Sequence, residues 1–111
     1  MDASVETTCS LRFLALRPDL VAVVRKHRPE ASDRPSRRVP DARTVTFDIT
    51  DDRDLSWLPA LVRDHGVASD SIDLFVSTVT EHDSWIVSIP DYVLSISREL
   101  SCGIEVSFTV V

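Results

Sequence analysis

Apolar and polar residues alternate or recur with a clear period over most of the chain. The sharpest stretch is Pro90–Val111, PDYVLSISRELSCGIEVSFTVV. Val93, Ile96 and Leu100 recur at helical spacing, with Asp91 able to cap the first turn and Pro90 fixing the entry. Gly103 follows the last turn, where φ > 0 is the usual way for a helix to stop. The period then drops to two: Ile104, Val106, Phe108 and Val110 alternate with Glu105, Ser107 and Thr109, predicting a strand with one buried face. Cys9, Leu11, Phe13 and Ala15 alternate in the same way over residues 8–16, and Val45, Phe47 and Ile49 over residues 43–50.

Helices are predicted between these strands. Pro18 and Asp19 open one, Leu20, Val23 and Val24 form its stripe, Arg25, Lys26 and Arg28 close it, and Pro29 stops it. Ser56 caps a second, with Pro59 tolerated in its first turn, Leu58, Leu61 and Val62 as its stripe, and Gly66 at its end. Residues 72–80 read as a central strand, and Trp85 to Ile89 as its return in a hairpin around the polar turn 81–84. Residues 1–7 read as a loose terminus. Residues 29–42, PEASDRPSRRVPDA, read as one long irregular loop: a flap, a binding loop or a cover for a strand edge.

The order is β-α-β-α-β-β-α-β. It predicts a single α+β domain over residues 1–111, with one mostly antiparallel sheet of about five strands and two or three helices on one face, in the rhythm of a ferredoxin-like plait. If strands 8–16 and 104–110 are antiparallel neighbours, Cys9 and Cys102 start at opposite ends and cannot bridge. The uncovered face would be mostly polar, carrying Arg12, Thr46, Asp48, Ser77, Ser88, Glu105, Ser107 and Thr109, with Leu14, Phe75 and Ile86 as apolar exceptions.

Composition narrows the function classes. In 111 residues, 43% hydrophobic and 27% charged, there is enough apolar material for a core. No apolar run approaches membrane-spanning length, and MDASVETTCS has neither a basic n-region nor an apolar h-region, so a cytoplasmic location is the expectation. Two cysteines make no disulfide framework. The net charge of −6 is unevenly spread: residues 1–43 carry +3 and residues 44–111 carry −9. Arg34, Arg37, Arg38 and Arg43 can meet phosphates. The acidic majority and the absence of a ring pair on the uncovered face argue against nucleic-acid binding.

Reactive constellations are sparse. His27, His65 and His82 lie in separate elements, and the adjacent Glu81, His82 and Asp83 rarely converge on one ion from a turn, so no metal or cofactor is expected. Cys9 falls inside a strand, and Cys102 follows a helix C-terminus, whose dipole raises a thiol pKa. Two glycines cannot build a phosphate cradle. Paired carboxylates at Asp48, Asp51, Asp52 and Asp54 can serve acid/base chemistry, but carboxylates before a helix ordinarily cap it. Trp57 and Trp85 read as packing at the edge of the core.

The order LFVS, turn, WIVSIP, PDYVLSISREL, Gly, IEVSFTVV resembles the uncharacterised bacterial family called domain of unknown function 4279 over residues 72–111. That resemblance implies a small α+β protein and brings no activity and no catalytic residues. The expected function is a non-catalytic protein-binding module. The foremost form is an immunity-type protein that neutralises a basic toxin through an acidic surface of Asp48, Asp51, Asp52, Asp54, Asp70, Asp73, Glu81 and Asp83. The alternatives are a self-associating housekeeping domain that forms a homodimer, and a small-molecule enzyme using Asp/His chemistry.

Overall fold

The computed structural model describes residues 5–50, 55–80 and 89–110. The elements are β1 (Val5–Leu16), α1 (Pro18–His27), β2 (Ser32–Pro35), β3 (Arg43–Ile49), α2 (Leu58–His65), a 3-10 turn (Ser69–Ser71), β4 (Ile72–Thr80), α3 (Asp91–Leu100) and β5 (Gly103–Val110). The strands form one mixed sheet in the order β2-β3-β1-β4-β5. β1 is antiparallel to both β3 and β4, β2 is antiparallel to β3, and β4 and β5 are parallel.

This corrects the plait. The α+β class, the three helices and four of the five strands match expectation, the fifth strand being the unexpected β2, but strand order and the parallel β4–β5 pair do not give a ferredoxin-like arrangement. β5 lies at the sheet edge beside β4, so it is not the neighbour of β1. The reason is α3, whose ten residues carry the chain back along β4 before β5 begins, the usual requirement for a parallel connection. Both edges of β4 are therefore taken, by β1 and by β5. Most of the expected return strand Trp85–Ile89 lies outside the described residues, and Ile89 itself is irregular.

One core sits between the sheet and the helices. Leu11, Phe13, Val45, Phe47, Leu74 and Val76 supply it from the strands, Leu20 and Val24 from α1, Leu58 and Leu61 from α2, and Val93, Ile96 and Leu100 from α3. Cys9 and Cys102 are free thiols buried in it. Trp57 packs against its edge and stacks on His27, ring centroids 4.5 Å apart.

Several local expectations are corrected. β1 starts at Val5, so residues 5–7 are not loose. Residues 29–42 are not one irregular loop, because β2 pairs there with β3, from Ser32 opposite Thr46 to Pro35 opposite Arg43. A four-residue edge strand ending in proline leaves almost no periodic signal, and such strands blunt a sheet edge. Asp33 fastens it on the helix side by pairing with Arg43 at 2.7 Å and with Arg25 of α1. The β1–β3 register shifts between Phe13 and Leu16, a bulge that turns Leu16 rather than Ala15 into the core.

The helix ends divide differently from the sequence pattern. Gly66 takes the left-handed conformation after α2, φ 62°, as expected. After α3 that role falls to Ser101, φ 53°, while Gly103 has no positive φ and opens β5. The Cys102 amide donates to the Ser97 carbonyl at 3.1 Å, and the Ser97 hydroxyl donates to the Cys102 carbonyl at 2.6 Å. Neither α2 nor α3 has a side-chain cap, so Ser56 and Asp91 do not play the expected part.

Candidate functional site

The helices cover one face of the sheet. The other is polar and centres on Arg12. Its Nε and Nη2 donate to the two carboxylate oxygens of Asp73 at 2.7 and 2.6 Å, and Nη2 also donates to Glu105 at 2.8 Å. The guanidinium lies 4.6 Å from the centre of the Phe75 ring, so this expected apolar exception is roofed by a cation. The hydrogen bond to Asp73 raises the Arg12 pKa, outweighing the opposing effect of burial. Asp73, expected in a free acidic surface, is thus neutralised by a bidentate partner.

Of the eight expected carboxylates, Asp48, Asp70 and Asp73 are among the described residues, and the topology puts them at two ends of the sheet. Asp70 and Asp73 lie at one end, beside the start of β4. Asp48 lies towards the other, where β3 and β4 both finish, because each runs antiparallel to β1 on opposite sides of it. The chain enters residues 51–54 and residues 81–83 from that same end. Asp51, Asp52, Asp54, Glu81 and Asp83 themselves lie outside the described residues. At about 3.3 Å per residue, Asp73 and the end of β4 are roughly 23 Å apart. Asp48 therefore stands apart from Asp70 and Asp73.

The Asp48 end has a built component. The Asp48 side chain is exposed and accepts a hydrogen bond from the Ser10 hydroxyl at 2.9 Å. Its backbone carbonyl accepts from Arg28, which also pairs with Glu30 at 3.1 Å. A hollow of about 270 Å³ opens beside it, lined by Thr7, Thr8, Cys9, Asp48, Ile49, Thr50 and Tyr92. The Tyr92 hydroxyl lies 3.5 Å from the Ile49 carbonyl oxygen. A tyrosine beside an exposed carboxylate and three threonines can accept an inserted cationic side chain. Sequence reasoning missed Tyr92 and the threonines because helix and strand residues forty and more positions apart meet only in the fold.

Among the described residues no group of three His, Cys, Asp or Glu side chains is placed to hold a metal ion. Burial is the main force raising the Cys102 thiol pKa, with the charge of Asp73 acting in the same direction. The helix dipole had suggested the same sign for a different reason. Among the described residues no helix is long and apolar enough to cross a membrane. Comparison with known protein families, curated proteins and solved structures finds no match for this chain.

Proposed function

We propose that the chain is a non-catalytic binding domain of the cytoplasm that engages a basic protein partner through the Asp48 end of its sheet, in the manner of an immunity-type inhibitor. The observation that carries this reading is the arrangement of β3 and β4 about β1. It sends the chain into both acidic stretches, 51–54 and 81–83, from the end that holds Asp48 and the Tyr92 hollow. Opposite charge on a partner speeds encounter, and an aromatic beside a carboxylate gives a lysine or arginine a place to dock. Asp70 and Asp73 are outside this surface.

The test is affinity capture from the native host, followed by calorimetry with the captured protein. The reading expects a partner that arrests growth when produced alone, is neutralised by this chain, and binds Asp48→Lys at least about tenfold more weakly, the loss of one good charged contact. No captured partner, or binding unchanged by Asp48→Lys, counts against it.

One observation favours a second reading, self-association along β5. Val106 and Phe108 stand in register with the buried Val76 and Thr78 of β4, yet are 43% and 38% exposed at an edge strand. A strictly monomeric sedimentation profile at high concentration removes this alternative.

A further inference from the structure

The bulge in β1 has a second effect. Leu14 falls between the paired positions Phe13 and Leu16, so its carbonyl is outside the β1–β3 ladder. It accepts two hydroxyls instead, from Ser36 at 2.8 Å and from Thr44 at 3.1 Å. Ser36 also accepts the amides of Arg38 and Val39 at 3.1 and 3.3 Å, and its own amide donates to the Ala42 carbonyl at 2.9 Å. Asp41, at φ 66°, completes the reversal. The turn 36–42 is therefore fixed to the uncovered face of the sheet by hydrogen bonds at its base.

This turn and β2 place three guanidinium groups around one groove. Arg34, Arg37 and Arg38 line a hollow of about 300 Å³ with Leu14, Pro35 and Thr44. Among the described residues no ion pair reaches any of the three, and Arg38 makes only a 3.5 Å contact to the Asp70 carbonyl oxygen. Asp33, adjacent to Arg34 in sequence, points to the other face and is held there by Arg25 and Arg43. Asp73 and Glu105 are held by Arg12. Among the described residues the three guanidinium groups thus stand beside Leu14 and Pro35 with no ion-pair partner.

We propose that this groove binds a small phosphomonoester, the phosphate held by Arg34, Arg37 and Arg38 and the organic part lying on Leu14 and Pro35. A dianionic phosphate has enough acceptor oxygens for several guanidinium donors, whereas a carboxylate is satisfied by one fork. A hollow of this size suits a small molecule. A polymer is disfavoured, because the adjoining hollow, which shares Leu14 and Arg38, is lined by Asp70, Asp73 and Glu105. A second phosphate there would meet carboxylates. This site is independent of the partner surface at Asp48.

The test follows backbone amide NMR shifts of the full chain at low salt while phenyl phosphate is added, with phenol and benzoate as controls. The expected result is saturable shifts at Leu14 and residues 34–44, little or no response to phenol, weaker binding of benzoate, and at least about tenfold weaker phosphate binding by Arg34→Gln/Arg37→Gln, the loss of two charge-assisted contacts. Both arginines are exposed, so the variant keeps the wild-type spectrum elsewhere. Asp48→Lys leaves the binding unchanged. The proposal is overturned by no saturable shift, by shifts spread equally over Arg63 and Arg98, by benzoate binding as well as phenyl phosphate, or by unchanged affinity in the double variant.

Discussion

The hydroxyl of Ser36 donates to the carbonyl oxygen of Leu14 at 2.8 Å, twenty-two residues away along the chain. This single bond joins the β1 bulge to the arginine turn and serves a carbonyl that has no partner in the β1–β3 ladder. Ser36→Ala removes it together with the two amide contacts. The expected cost is about 1–2 kcal/mol, read as a lower urea midpoint, with faster amide exchange at Arg38 and Val39. Ser36→Thr keeps the hydroxyl and recovers most of the loss. An unchanged midpoint and unchanged exchange in Ser36→Ala contradict the anchoring role.

The two left-handed helix ends respond oppositely to substitution. Ser101 holds φ 53° with a side chain, and Gly66 holds φ 62° without one. Ser101→Gly is expected to stabilise the fold, and Gly66→Ala to destabilise it, each by about 1 kcal/mol, the cost of a Cβ in that region. The space around Gly66 is open, so backbone strain alone sets the second value. Thermal unfolding checks both signs.

Asp33 sets a pH dependence. Hydrogen bonding from Arg43 is the leading cause of its lowered pKa, and the charges of Arg25 and Arg43 reinforce it against partial desolvation. The unfolded chain therefore binds the proton first as pH falls. The stabilisation is complete above the ordinary carboxyl value of 3.8 and is lost as pH drops through the lower folded value. Wild type and Asp33→Asn are expected to differ by a constant amount at pH 5–7 and to converge below pH 4. A difference that grows on acidification contradicts the assignment.

Both thiols are buried, and burial raises the pKa of Cys102. Neither is expected to react appreciably with a thiol reagent at pH 8 in the native state, and both react once urea unfolds the chain. Rapid labelling of Cys102 in the folded protein contradicts its placement.

How much of this is legible in the sequence depends on the range of the interactions. The β3 alternation of Val45, Phe47 and Ile49, the α3 stripe of Val93, Ile96 and Leu100, and the stop at Gly66 are local and legible in the residues themselves. β2 was missed because four edge residues with little burial have no period to read. Composition favours Gly103 for the turn that Ser101 makes, but the two hydrogen bonds at Ser97 fix the stop earlier. Strand order depends on which edges remain free, a global property that displaced the plait. At the candidate site, Asp48 was found as a charge. Its company of Ser10 and Tyr92, and the withdrawal of Asp73 by Arg12, arise from register between strands distant in sequence.

The central claim is that the Asp48 end of the sheet is the working surface. Its most direct test is the dissociation constant of the captured partner for wild type and for Asp48→Lys, measured by calorimetry at low and at physiological salt. At least about tenfold weaker binding by the variant is expected, with a wild-type affinity that falls as salt rises. Equal affinities for the two proteins, with no dependence on salt, would contradict it.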